Sequence, residues 1–234
     1  NPIRTPNLLF NAMALLDDLN VDYEVVGGPG ACCGIIQSKW EGNQEKAEKV
    51  VDGTINRFAG FQPKEVLSWC PSCVLHLGET MSGFRSASFD FDHVTNYLVE
   101  RAEGLSKKFI RPINKRVLLH THDGMDEVGQ NVANLLRSVP GLTLVDLVSE
   151  PGYTCGGSGA DRSPTLKQVA RRKTVARAEA DDVDVLVSLY HGCHGQLAGL
   201  QTEVKFEVLN WTDILVQALG QQPYDDVNKR YRMQ

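Results

Sequence analysis

Six cysteines are distributed unevenly along 234 residues. Cys32 and Cys33 are adjacent and precede Gly34, Cys70 and Cys73 bracket a Cys-Pro-Ser-Cys turn, and Cys155 and Cys193 stand alone. Loop-closing disulfides are spread out along a chain, whereas clustering of this kind suits a metal centre or a reactive dithiol. Three chemistries use a thiolate pair at Cys-x-x-Cys spacing. A strand, Trp69, the Cys70 to Cys73 turn and a following helix are what a thioredoxin-like dithiol oxidoreductase uses, the helix N-terminus lowering the first thiol's pKa. That reading gives Cys32 and Cys33 no task. Zinc accepts four thiolates, but adjacent side chains on extended backbone point opposite ways, so one tetrahedral ion would need a turn at Gly34 to gather them. An iron–sulfur cluster spreads its irons over a few ångströms, so Cys32 and Cys33 can reach different irons while Cys70 and Cys73 close the far side.

A second constellation lies further along. His120, His122, His191 and His194 fall with Asp123, Cys155 and Cys193 at what should be strand ends. Mixed imidazole, thiolate and carboxylate donors suit zinc or another borderline ion. A Cys155–Cys193 disulfide, a substrate-handling thiol and a set of merely hydrogen-bonded polar residues are the alternatives.

The elements that must position these residues alternate between strand and helix signals, which defines an α/β fold class. A helix is expected near Pro6 to Leu19, then "VDYEVV" as a strand, "GGPGACCG" as a loop, a helix from Asn43 to Ala59, and "EVLSW" as the strand entering the Cys-Pro-Ser-Cys turn. In the second half "KRVLLHTH", "LTLVDLV" and "DVLVSLY" read as strands, with helices over Glu127 to Val139 and Pro164 to Ala180. The two halves match. Pro29-Gly30-Ala31-Cys32-Cys33-Gly34 aligns with Pro151-Gly152-Tyr153-Thr154-Cys155-Gly156, and forty positions separate Cys33 from Cys73 against thirty-eight between Cys155 and Cys193. An internal duplication follows, with one unit over residues 1–105 and another over 106–234, the seam falling in the polar stretch around Pro112. The second unit's opening strand has no counterpart after Asn1, so the first unit's opening strand is expected upstream of it.

The pairing of Cys-Cys-Gly with a later Cys-Pro-x-Cys resembles the CCG, or cysteine-rich, domain of the heterodisulfide reductase B-subunit family, and similar domains occur in lactate and glycolate oxidation iron–sulfur proteins. The resemblance covers almost the whole chain. It implies two Rossmann-like CCG units related by pseudo-two-fold symmetry. It also implies a noncubane [4Fe-4S] cluster held by Cys32, Cys33, Cys70, Cys73 and one further, upstream cysteine. By the same resemblance the chain is an iron–sulfur oxidoreductase subunit that couples electron transfer to thiol/disulfide chemistry. Its expected partners are other heterodisulfide reductase-like subunits, an iron–sulfur one of the C type and a flavin one of the A type, together with a disulfide or thiol substrate. The second unit departs from the pattern: Asp123 stands near the cysteine of an "HDPC" segment, Thr154 replaces the first cysteine of the pair, and Tyr190-His191-Gly192-Cys193 replaces Cys-Pro-x-Cys. Too few thiols remain there for the family's cluster, which leaves zinc bound by Cys155, Cys193, His122, Asp123, His191 and His194 as the alternative occupant. The rival function is a zinc-binding or metal-free scaffold within a redox complex.

Composition bounds these readings. A net charge of -5 and the absence of a basic stripe argue against a nucleic-acid partner, and Arg171-Arg172-Lys173 is one helical turn among acids. The longest apolar runs, such as Val183 to Tyr190, are too short to span a bilayer, so membrane insertion is not expected and a cytoplasmic location is.

Overall fold

The computed structural model describes residues 5–83, 86–121, 126–148 and 164–234. Helices and parallel strands alternate, as an α/β chain requires. Two compact units emerge: a smaller one over residues 22–97 and a larger one combining residues 1–21 with 98–234. This grouping differs from a division at residue 105, because helix α1 (Pro6–Asp18) packs on helix α9 (Trp211–Ala218) of the larger unit. The contact is polar as well as apolar: Asn11 Nδ2 donates to Asp213 Oδ1 at 2.6 Å.

In the smaller unit, helix α2 (Gln44–Ala59) starts at Asn43, whose side chain accepts the Lys46 N–H at 2.9 Å and satisfies one of the helix's free donors. Its apolar stripe of Ala47, Val51, Ile55 and Phe58 is buried. Strands β1 (Glu65–Ser68) and β2 (Asp90–His93) pair in parallel, Ser68 opposite His93, with helix α3 (Pro71–Gly83) connecting them. Cys33, Val51, Ile55, Phe58, Leu77 and Phe89 form the core, with Cys73, Ile35 and Val66 packed at its margin. Phe58 and Phe89 meet edge to face, ring centroids 6.1 Å apart. The expected strand over "VDYEVV" does not form: residues 21–27 carry no regular structure, and β1 pairs with β2. A half-exposed segment without a strand beside it has no ladder to join.

After the short helices α4 (Val94–Glu100) and α5 (Ala102–Ser106), the larger unit builds one parallel sheet. Its strands are β3 (Arg116–His120), β4 (Thr143–Val148), β5 (Val185–Ser188) and β6 (Glu207–Asn210), in the order β4-β3-β5-β6. β5 is buried along its whole length, as a central parallel strand covered on both faces must be. The connecting helices are α6 (Asp126–Arg137), α7 (Pro164–Ala180) and α8 (His191–Leu197). Helices α9 and α10 (Val227–Arg232) close the unit. Strand order reverses between β3 and β5, the switch point beside which doubly wound sheets carry ligands at their C-terminal strand ends. His120, Ser188 and the start of α8 occupy those ends.

Candidate metal and thiol site

Two local structures deliver the cysteines of the smaller unit. Cys32-Cys33-Gly34 follows a single 3₁₀ turn over Pro29–Ala31 and leads into a π-helical turn over Ile36–Trp40. Cys32 is extended, with φ -85° and ψ 136°. Gly34 has φ +77°, and a side chain there would meet the Ala47 carbonyl at 3.0 Å and Val51 at 3.1 Å, so this loop seats directly on α2 only because the residue is glycine. Thr54 Oγ1 donates to the Cys32 carbonyl at 2.6 Å, fixing the loop a second time. On the other side, β1 ends at Ser68, whose hydroxyl accepts the Cys70 N–H at 3.1 Å, and α3 begins one residue after Cys70. The Cys73 and Val74 N–H groups donate to the Cys70 carbonyl at 3.0 and 3.1 Å, so Cys70 sits at the N-terminal end of a 13-residue helix.

These two loops bring Cys33, Cys70 and Cys73 together. The Cys73 thiol hydrogen-bonds with both Cys33 and Cys70. Hydrogen bonding with the Cys73 thiol pulls Cys33 down to about 7 and Cys70 down to about 6, while burial opposes both shifts and the N–H groups of Ser72 and Cys73 help Cys70. Cys73 is pushed up by the same bonds and by burial. Cys33 is buried in the apolar core, and Cys32, Cys70 and Cys73 are half-buried. Soft, partly desolvated, readily deprotonated thiols on anchored loops fit an iron–sulfur cluster better than a hard cation. Among the described residues, no group of three or more His, Cys, Asp or Glu is arranged to hold a metal ion.

His93 is buried at the end of β2, with Nδ1 2.8 Å from Thr95 Oγ1. Burial drives its ring down to about 4, against a raising hydrogen bond with the Trp69 backbone. Asp92 takes the polar position instead, accepting from the His93 N–H at 2.6 Å and from Asn96 at 2.7 Å. Trp40 is 70% exposed. His76 is half-buried on α3.

In the larger unit, His120, Cys193 and His194 are buried and His191 is half-buried. Cys155, His122 and Asp123 lie outside the described residues. Burial pushes the His191 ring down to about 4, and its buried Nδ1 has no hydrogen-bond partner among the described residues. His194 is differently placed: Nδ1 lies 2.9 Å from Ser188 Oγ and Nε2 2.5 Å from Asp226 Oδ2. Both ring nitrogens are therefore engaged, and a metal on His194 would have to displace one of those partners. Ser188 is fully buried and also receives Asn210 Nδ2 at 3.3 Å, so this Ser–His–Asp line is a structural tie, with no hydroxyl open to a substrate. It joins α10 to β5 and α8.

Sequence reasoning missed Thr54, Ser68 and Asp226. Thr54 carried a signal, since it falls on the buried stripe of α2 where a hydroxyl needs a partner. Asp226 also carried one, as a helix cap accepting the Lys229 N–H at 2.9 Å.

An α/β chain that gathers Cys-Cys-Gly and Cys-Pro-Ser-Cys into one thiol site is organised as a cysteine-rich domain. The cysteine-rich domain family CCG matches residues 3–78 and again 120–198, more than half of the chain, and the chain belongs to that family. It is also similar to the D subunit of the dihydromethanophenazine:CoB–CoM heterodisulfide reductase of Methanosarcina barkeri (strain Fusaro / DSM 804), 21% identical over 239 residues, covering 91% of this chain and 55% of the relative. The chain thus spans about half the length of that relative. Among the described residues no helix is long and apolar enough to cross a membrane.

Proposed function

We propose that the chain is an iron–sulfur redox subunit of a heterodisulfide reductase-like complex, with a noncubane [4Fe-4S] cluster held by Cys32, Cys33, Cys70 and Cys73. The observation that carries this reading is the meeting of Cys33, Cys70 and Cys73 at the edge of an apolar core. The family membership and the heterodisulfide reductase relative support it. When bound, the cluster supplies one-electron redox chemistry and an iron for substrate sulfur. The chain's own residues do the rest: Gly34 and Thr54 fix the Cys32-Cys33 loop, Ser68 fixes the Cys70 turn, and the α3 N-terminus stabilises thiolate at Cys70. The core around Cys33 excludes water from one side, and the half-buried Cys70 side is the approach for a disulfide substrate and for electron-transfer partners of the iron–sulfur and flavin kinds. On this reading the protein works in the cytoplasm.

The test is anaerobic purification of the intact protein with iron and acid-labile sulfide analysis. A brown protein that loses both on Cys33→Ser or Cys73→Ser, but keeps both on Cys193→Ser, is the expected result; a colourless protein with one zinc per chain overturns it in favour of a scaffold role.

A second reading concerns the larger unit alone. Among the described residues the buried His191 Nδ1 lacks a hydrogen-bond partner, which favours a single zinc-like ion held by His191 with Cys193, His122, Asp123 or Cys155. Zinc retained by a Cys33→Ser/Cys73→Ser protein and lost on His191→Ala is the expected result, and zinc absent from that double variant removes the reading.

A further inference from the structure

Between α1 and the sheet of the larger unit, one set of buried polar groups is fully bonded and the next is not. Asn11 Nδ2 donates to Asp213 Oδ1 at 2.6 Å, and Asn11 Oδ1 accepts the Tyr224 N–H at 2.9 Å. Asn210, the last residue of β6, bonds Ser188 and Thr212 with its side chain. One turn earlier on α1 the bonding stops. Thr5 and Asn7 are each 1% exposed, yet Thr5 Oγ1, Asn7 Nδ2 and Asn7 Oδ1 have no hydrogen-bond partner among the described residues. Buried polar atoms are bonded as a rule, so three such atoms on two neighbouring residues mark a place that receives a polar group.

These residues also start a helix. Thr5 is the N-cap of the 13-residue α1 and makes no side-chain cap bond, Pro6 brings no N–H, and the turn Pro6-Asn7-Leu8-Leu9 carries no charged side chain. The Asn7 N–H is therefore the first donor the helix presents, with roughly half a positive charge of the macrodipole behind it. α1 and α9 run in the same direction, since Asn11 meets the start of α9 and Asp18 meets Gln221 just beyond its end. Residues i and i+4 share a helix face, which puts Asn7 on the Asn11 face but ahead of α9, off the C-terminal end of β6. That edge of a parallel sheet is where α/β folds take ligands.

We propose that the first turn of α1 is an oxyanion site that takes the carboxylate of a small organic acid. The Thr5 hydroxyl, the Asn7 N–H and the Asn7 side-chain amide are the donors, and the two oxygens of a carboxylate accept from all three. Asn7 Oδ1 accepts in return from a hydroxyl or amino group next to that carboxylate, or from a water beside it. Phosphate sites at helix starts use a run of free backbone N–H groups, whereas Pro6 removes one here and no cation on the turn replaces it, so a monoanionic carboxylate is matched better than a phosphate dianion. Thr5 and Asn7 are separate from the cysteines and histidines of the two metal readings, so the site needs neither a cluster nor zinc.

The experiment is thermal unfolding of the intact protein in acetate, phosphate, chloride, and chloride with acetamide, all at one ionic strength. Acetamide has the shape of acetate without its charge. The wild type should melt roughly 3–6 °C higher once acetate reaches about ten times its dissociation constant, and should not respond to acetamide. Acetate with no more effect than chloride, an equal rise in acetamide, or a larger rise in phosphate overturns the proposal. Thr5→Val and Asn7→Leu keep the side-chain shapes and remove the donors. In chloride alone Asn7→Leu should melt no lower than the wild type, because it removes a buried amide that has no partner. A lower melting temperature there would show that the amide is served within the protein, and overturns the site. In acetate both variants should lose most of the rise. The full rise in either one, as acetate bound to a metal elsewhere would give, overturns the assignment to α1, and the two variants report independently, so the result does not hang on the folding of one.

Discussion

Thr54, on the buried stripe of α2, donates a 2.6 Å hydrogen bond from its hydroxyl to the carbonyl oxygen of Cys32. A helix core position thereby sets the path of the Cys-Cys-Gly loop. Thr54→Val keeps the shape and removes the donor, leaving a part-buried carbonyl unsatisfied at a cost of about 1–2 kcal/mol. Thr54→Ser keeps the donor. Urea unfolding should rank wild type and Ser above Val, and iron content after anaerobic reconstitution should follow the same order; a Val variant equal in both measurements would show that the bond does not position Cys32.

Gly34 gives a sharper test of the same loop. Its φ of +77° is strained for any side chain, and a methyl would press on the Ala47 carbonyl and Val51. Gly42 also has positive φ, at +66°, but open space around it. Gly42→Ala should therefore cost only the backbone term, about 1 kcal/mol, whereas Gly34→Ala adds a steric clash and displaces Cys33. The expected outcome is a lower melting temperature in both and loss of iron binding in Gly34→Ala alone.

His93 predicts a pH dependence. Its folded-state value of about 4 lies below the ordinary 6.5, because burial disfavours the charged ring. As pH falls below 6.5 the unfolded chain takes up this proton before the folded one does. Stability contributed by the neutral ring is thus complete above 6.5, declines as pH falls, and is gone near 4, a total of ~3 kcal/mol. Urea midpoints at pH 7 and pH 4.5 should show a smaller acid loss in His93→Gln than in the wild type. Parallel declines in the two proteins would rule out His93 as the source.

How far the sequence reaches is clearest from individual residues. The strand signals at Val117, Leu144 and Val185 all correspond to the parallel sheet, because continuous apolar runs in a buried strand need no knowledge of neighbours. Residues 21–27 alternate as a strand should and form none, since a strand also needs a partner edge. Cys33, Cys70 and Cys73 could be grouped from spacing, but not the burial of Cys33, which depends on how the loop at Gly34 seats against α2. His93 and His194 look alike in sequence as histidines near helix starts. Their roles differ because Thr95, Ser188 and Asp226 are placed beside them by the fold, the last from thirty-two residues away.

That last arrangement supplies the remaining prediction. His194 joins Ser188 on β5 to Asp226 at the start of α10, while Asn210 Nδ2 bonds the Ser188 carbonyl at 2.9 Å and the Asn210 N–H bonds Asp213 at 2.8 Å. Burial raises Asp213, although hydrogen bonds from Asn210 and Asn11 resist it. For Asp226, burial is outweighed by the His194 ring and the Lys229 N–H, which hold its carboxyl below the usual range. Removing the ring takes one partner from the buried Ser188 hydroxyl and one from the half-buried Asp226 carboxylate, and opens a cavity where the ring was, so His194→Ala should destabilise by about 2–4 kcal/mol. Asp226→Ala should cost less, because its carboxylate is partly solvated. In a double-mutant cycle the two losses should fall short of adding, since they remove one shared bond. Neither variant touches the thiol site, so iron content per folded chain should stay at the wild-type level. Iron lost from His194→Ala while its unfolding midpoint stayed unchanged would reverse the assignment, making this histidine a ligand rather than a tie.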